Sequence, residues 1–304
     1  MDIELVCEGL EFPEGPIAMN DGSVILTEIK GQRLSRITPD GKRTTVAETG
    51  GGPNGAAIGP DGKIYVTNNG GRFEFRDMNG LMFPGNPPPG HTGGYIQRVD
   101  IETGKVETIY DNWEGNTIWA PNDLVFDKQG GFWFTDHAKP VGDTLNYGGL
   151  YYAKADGSHI SRQRGHMISP NGVGLSPDEK TVYVADTSLG RLWAHDITEP
   201  GVIGSAGLGG PGRVVHNLQG GQLLDSLAVE ANGNVCVATI LNGGVTAFFP
   251  DGSGVEHYPF PDIITTNICF GGADMMDAWV TCSSTGKLFK CRWPRPGLKL
   301  NFNA

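Results

Sequence analysis

Residues 121–136 read Pro121-Asn122-Asp123-Leu124-Val125-Phe126-Asp127-Lys128-Gln129-Gly130-Gly131-Phe132-Trp133-Phe134-Thr135-Asp136. A short apolar run, Leu124 to Phe126, meets a turn at Gln129-Gly130 and then a β-rich run, Phe132 to Thr135, which is the pattern of a hairpin. Working outward from Asn122, the same register returns at Glu14, Asn54, Asn171, Asp225 and Asn267. Seven residues after each of the six anchors comes Asp21, Asp61, Gln129, Asp178, Asn232 or Asp274, and in four of the six the next residue is glycine. A self-similar unit at this scale marks a repeat architecture.

Each unit continues past its hairpin. A third apolar-alternating run follows at Leu34–Ile37, Tyr95–Val99, Leu150–Ala153, Leu192–His195, Val245–Phe249 and Leu288–Cys291. A fourth is clearest at Thr44–Ala47, Val106–Tyr110 and Val255–Tyr258. Anchor spacings of 40, 68, 49, 54 and 42 residues suit a four-stranded sheet repeated radially. The expectation is an all-β, six-bladed β-propeller occupying residues 1–304 as one domain. The unit from Asn267 runs out after its third strand, while Ile3–Val6 precedes the first anchor without a blade of its own. Pairing the two closes the ring and removes two free sheet edges. The Pro- and Gly-rich segment 70–94 falls between the second and third strands of blade two and reads as an inserted, lid-like loop.

Composition narrows the function. The 304 residues include 47 glycines without a three-residue period and 20 prolines, which fits many tight turns and excludes collagen. With 34 acidic against 23 basic residues the net charge is −11, the wrong sign for a nucleic-acid groove or an anionic membrane surface. The first ten residues lack the basic and apolar regions of a leader, and no run of roughly 18 apolar residues occurs. The expectation is a soluble, cytoplasmic protein without nucleic-acid or membrane partners. Five cysteines without CxxC spacing read as buried thiols.

In a propeller the loop leading into each first strand and the loop between strands two and three share one face. The six anchors therefore ring the axis, two carboxylates and four carboxamides converging on a funnel that also receives Asp136, His137 and the 70–94 insertion. Two carboxylates so placed repel unless a cation neutralises both. An all-oxygen donor set suits a hard divalent ion, Ca²⁺, Mg²⁺ or Mn²⁺. Glu14, Asn122, Asn171 and Asp225 are the expected ligands, with Asn54 and Asn267 beside them in the pocket. The insertion carries Phe73 and Phe83, and Trp119 precedes the blade-three anchor, so the pocket has apolar walls.

Pro13-Glu14-Gly15-Pro16, Pro121-Asn122-Asp123, Phe134-Thr135-Asp136, Ser169-Pro170-Asn171-Gly172 and Asp225 ahead of an apolar strand together resemble the gluconolactonase and senescence-marker-protein-30 (regucalcin) family, across essentially the whole chain. The resemblance implies one divalent cation on Glu14, Asn122, Asn171 and Asp225, with calcium first and zinc, manganese, magnesium or iron as alternatives. It implies hydrolysis of small lactones. Leu224-Asp225-Ser226 departs from the Pro-Asp-Gly of many relatives. The chemistry needs a base, for which Asp225 is the first choice and Asp136 and His137 the others. A phosphotriesterase of the same fold, a non-enzymatic calcium-binding scaffold and a strictosidine-synthase-like enzyme are the competing readings.

Overall fold

Alternating short apolar runs and tight turns give strands and hairpins throughout, and the described residues contain no α-helix. The computed structural model describes residues 1–137, 139–141, 144–205 and 212–303. Six antiparallel sheets form the blades of a propeller; five run in chain order from the inner strand outward, and the sixth takes its outermost strand from the N-terminus. The inner strands are Pro13–Ala18, Pro53–Ile58, Pro121–Phe126, Pro170–Leu175, Leu223–Val229 and Thr265–Gly271. Pro121–Phe126 is buried along its whole length, whereas the outer strand Val106–Tyr110 is half exposed, as the radial arrangement requires.

The core lies between blades, where neighbouring sheets press face to face. Tyr65 of blade two meets Phe126 of blade three with ring centroids 5.0 Å apart, edge-on, in a cluster with Phe132 and Tyr110. Four of the five cysteines are buried and Cys269 is half-buried; all are free thiols.

The ring closes as expected. Ile3–Cys7 pairs antiparallel with Lys287–Arg292, Ile3 opposite Cys291 and Leu5 opposite Phe289, which completes the sixth blade. Deleting residues 1–8 removes four paired positions and bares a sheet edge. At about 1 kcal/mol per position and roughly 2–4 °C per kcal/mol for a domain of this size, the unfolding midpoint should fall by about 10 °C in a thermal scan. An unchanged midpoint would show that the closure carries no stability.

The chain past the sixth blade has a structural role of its own. The backbone N–H of Leu298 donates to Val229 O at 2.8 Å, Asn301 Nδ2 reaches Phe126 O and Glu179 Oε1 at 3.1 and 2.7 Å, and Phe302 packs 5.9 Å from Phe126. This tail crosses blades five, four and three on the side opposite the anchors.

Candidate functional site

Every inner strand carries a register irregularity at its anchor, between Glu14 and Ile17, Pro53 and Ala56, Pro121 and Leu124, Pro170 and Val173, Leu224 and Leu227, and Thr265 and Asn267. A bulge adds local twist and re-aims a side chain; repeated six times around one axis, it brings the anchors together. The glycine of the Pro-X-Gly motifs has a packing reason. A Cβ on Gly15 would lie 2.5 Å from Asn54 O, on Gly55 2.7 Å from Asp123 Cα, and on Gly172 2.7 Å from Asp225 O. Only glycine allows inner strands to approach this closely. In blade five Ser226 stands where the motif has glycine, and its hydroxyl donates to Asn171 Oδ1 at 3.4 Å.

Threonines stitch the anchors in place. Thr27 Oγ1 donates to Asn54 O and Thr67 Oγ1 to Asn122 O, both at 2.5 Å, and Thr135 Oγ1 to Asn171 O, so each blade's second strand holds the next blade's anchor. The sequence reading missed these residues, although the signal was present: Thr27, Thr67 and Thr135 each stand 13 positions after their own anchor.

All six anchor side chains are buried. Glu14 Oε2 accepts the Asn267 amide and its neighbour's backbone, Gly15 N–H, both at 2.7 Å. Asn171 Nδ2 donates to Thr187 Oγ1 at 3.1 Å. Asn122 Oδ1 is buried with no hydrogen-bond partner. A third carboxylate, Asp123, lies among them and accepts Leu124 N–H at 2.9 Å; the sequence placed it only as part of a motif. Burial raises Asp225 and Asp123 to about 7. In Asp225 the charge of Asp123 adds to this, while the Asn171 amide opposes it. Burial, then the charge of Asp225, raises Glu14 as well, against the hydrogen bonds from Asn267 and Gly15.

Elsewhere the fold treats buried acids differently. Burial pushes Glu28 up, but Arg33 Nε at 3.0 Å and Ser35 Oγ at 2.6 Å outweigh it and hold the carboxyl below its ordinary value. Glu230 is likewise lowered overall by Arg295, Trp293 and Cys236. Among the described residues, no Arg, Lys or His acts on Glu14, Asp123 or Asp225 in this way. Two unpaired buried carboxyls, Glu14 and Asp225, and the orphaned Asn122 carboxamide oxygen are hard-oxygen donors of the kind a divalent cation takes. No group of three or more His, Cys, Asp or Glu with ligand geometry occurs among the described residues, so carboxamides would complete the shell.

Asp136 stands apart from this ring. Its oxygens accept Trp119 N–H at 2.9 Å and Ala120 N–H at 2.6 Å, fixing the loop that leads to Asn122. Burial lifts its pKa to about 7 against those two bonds and the nearby Arg72 charge. His137 follows, half-buried, with its backbone N–H on Ala120 O at 2.9 Å. Trp119 is half-buried beside it.

The 70–94 insertion contains a hairpin, Phe75–Met78 paired with Leu81–Pro84. It reaches from blade two across to blades one and six: Phe73, Phe75, Met82 and Phe83, together with Ile240 of blade five, pack on Phe12, Ile29 and Ile264, with Phe75 5.0 Å from Phe12 and Met82 N–H on Ser284 O at 2.9 Å. Below the ring, a cavity of about 130 Å³ follows the axis, bounded by the inner strands, Asp123, Asn267 and the tail Leu298 to Asn303. The tail covers the far end of the axis, leaving the insertion face as the approach to the ring.

Comparison with known proteins agrees with the propeller fold. The family profile described as "SMP-30/Gluconolactonase/LRE-like region" matches residues 12–284. The chain is 28% identical over 301 residues to a gluconolactonase of Zymomonas mobilis, covering 88% of this chain and 76% of that protein. It is 30% identical over 260 residues to lactonase drp35 of Staphylococcus haemolyticus, covering 84% and 70%. In three dimensions it matches regucalcin, a calcium-binding protein of Agrobacterium tumefaciens, with a TM-score of 0.70 at 18% identity over 98% of both chains.

Proposed function

Because the chain belongs to the SMP-30/gluconolactonase/LRE-like family, we propose that it is a metal-dependent lactonase that hydrolyses small cyclic esters at the ring of Glu14, Asn122, Asn171 and Asp225. The observation that carries this reading is the buried carboxyl set without a basic partner, in a protein that pairs its other buried glutamates, Glu28 and Glu230, with arginine. Homologues named as lactonases over most of the chain support the reaction class.

Glu14, Asn122, Asn171 and Asp225 hold the cation, and calcium is favoured by the oxygen donors and by the calcium-binding structural neighbour. When bound, the ion supplies Lewis-acid polarisation of an ester carbonyl and a more acidic water. The chain supplies the rest. Asp225 accepts a proton from the attacking water as oxygen bonds to the acyl carbon. The acyl C–O bond of the ring then breaks, and the proton passes to the leaving alkoxide, giving the open hydroxy acid. A carboxylate placed beside the attacking water is the group that exchange needs. Asp136 positions Trp119, Ala120 and hence Asn122 rather than touching the reacting atoms, and the hairpin limits water at the funnel.

The test is acid release from a panel running from γ-butyrolactone to glucono-δ-lactone, with cations stripped and then restored. Turnover that returns with a divalent ion is the expected outcome. Tight binding of one ion without turnover of any lactone would instead leave a scaffold.

A further inference from the structure

The insertion face is lopsided. Beside Glu14 and Asn267, which share a 2.7 Å hydrogen bond, the chain neighbours are Phe12 and Ile264, and both are buried against the hairpin. Outward from them apolar side chains alternate along the hairpin with the exposed Glu74, Arg76 and Asp77. Phe73, Phe75, Leu81, Met82 and Phe83 are only half-buried, and Met78, Leu241 and Ile263 are 57%, 56% and 41% exposed. Leu241 holds φ at 73°, a left-handed conformation that a branched side chain rarely adopts. Its N–H donates to Ile263 O at 2.7 Å, which keeps the two exposed side chains on adjoining loops, while Ile240 and Ile264 next to them belong to the apolar cluster that the hairpin covers. Left-handed backbone at a leucine and uncovered apolar side chains both cost stability, and such side chains gathered on the face that carries the ring mark a recognition surface.

Resting on the lactonase reading above, we propose that this sector is a substituent-binding wall and that the preferred substrates are lactones bearing an alkyl or aryl group, not polyhydroxylated sugar lactones. Continuity with the ring argues for a small ligand: the wall begins two residues before Glu14 and three before Asn267. The hairpin side chains that pack inward, Phe73, Phe75, Met82 and Phe83, offer no hydrogen bond, so each sugar hydroxyl turned to them would lose water without replacement. An alkyl chain loses nothing polar there and gains contact. A hydroxyl-lined wall would select the opposite class.

The experiment compares kcat/KM for γ-butyrolactone, γ-octalactone and glucono-δ-lactone in the cation-loaded protein. A fully buried methylene is worth about fourfold, so a partly exposed four-carbon chain should raise kcat/KM by about tenfold or more over γ-butyrolactone. L241N and F83S should drive that ratio towards one through KM for the long-chain lactone. Asn tolerates the left-handed φ and position 241 is exposed, so L241N keeps the test valid if F83S folds poorly. Glucono-δ-lactone as the best substrate, or a ratio unmoved in a folded L241N, overturns the inference while leaving the lactonase reading intact. Failure to turn over any lactone removes both. Sedimentation at assay concentration covers the remaining occupant: a dimer dissociated by L241N with the ratio unchanged would assign the wall to a second copy of the chain and also overturn the proposal.

Discussion

D225N should lower kcat for lactone opening by about a hundred- to ten-thousand-fold at saturating cation, the range expected for loss of a general base. Asn preserves the volume of Asp225 and one oxygen donor, so the ring and the neighbouring Asn171 and Ser226 stay in place; what disappears is the proton acceptor. Stability should move the other way. In the absence of cation, Asp225 is a buried acid beside Glu14 and Asp123, with no arginine acting on it. Neutralising it relieves repulsion and desolvation together. The metal-free variant is therefore expected to melt at or above the wild-type temperature at pH 8. Titration of the variant with calcium checks that the loss is one of chemistry and not only of ion affinity. Wild-type kcat in D225N would remove Asp225 as the base and return Asp136 and His137 to consideration.

The second large effect concerns pH and the ion together. Burial raises Asp225 and Asp123 to about 7, above the ordinary carboxylate range, so the folded protein binds protons that the unfolded chain has already released. Stability from this source is present at low pH and is lost as pH rises towards and through 7. The metal-free unfolding midpoint should therefore be higher at pH 5.5 than at pH 8. His195, pushed down to about 3 by burial and by Arg164, acts in the opposite sense as pH falls through its unfolded value. The diagnostic quantity is therefore the stabilisation produced by added calcium at each pH. It should be large at pH 8, where the ring is charged, and small at pH 5.5, where protons replace the ion. D225N should shrink the difference. Equal stabilisation at both pH values would place the ion elsewhere.

Much of the fold was legible because its signals are local. A hairpin needs an apolar run, a turn seven residues past the anchor and a second run, all within one short window, and six copies of that window count the blades. The anchors were legible for the same reason, since a shared register in a closed ring forces them onto one axis. The orphan oxygen of Asn122 and the roles of Thr27, Thr67 and Thr135 were harder to find. Each depends on what the adjoining blade presents, tens of residues away in the chain.

The sequence by itself determined the all-β class, the number of blades, the closure by the N-terminal strand from Ile3 to Val6 and the identity of the convergent side chains, because turn chemistry and period-two alternation act over a few residues and repeat. Only the tertiary structure decided that Asp123 joins Glu14 and Asp225, that Asp136 is occupied by backbone N–H groups, that the hairpin crosses to Phe12 and Ile264, and that the tail covers the far end of the axis at Phe126. The tail contact between Asn301 and Phe126 alone links segments 175 positions apart. Nothing in the local sequence encodes such contacts; they arise because burying apolar side chains between six closed blades leaves each segment one place where its remaining apolar and polar groups are satisfied.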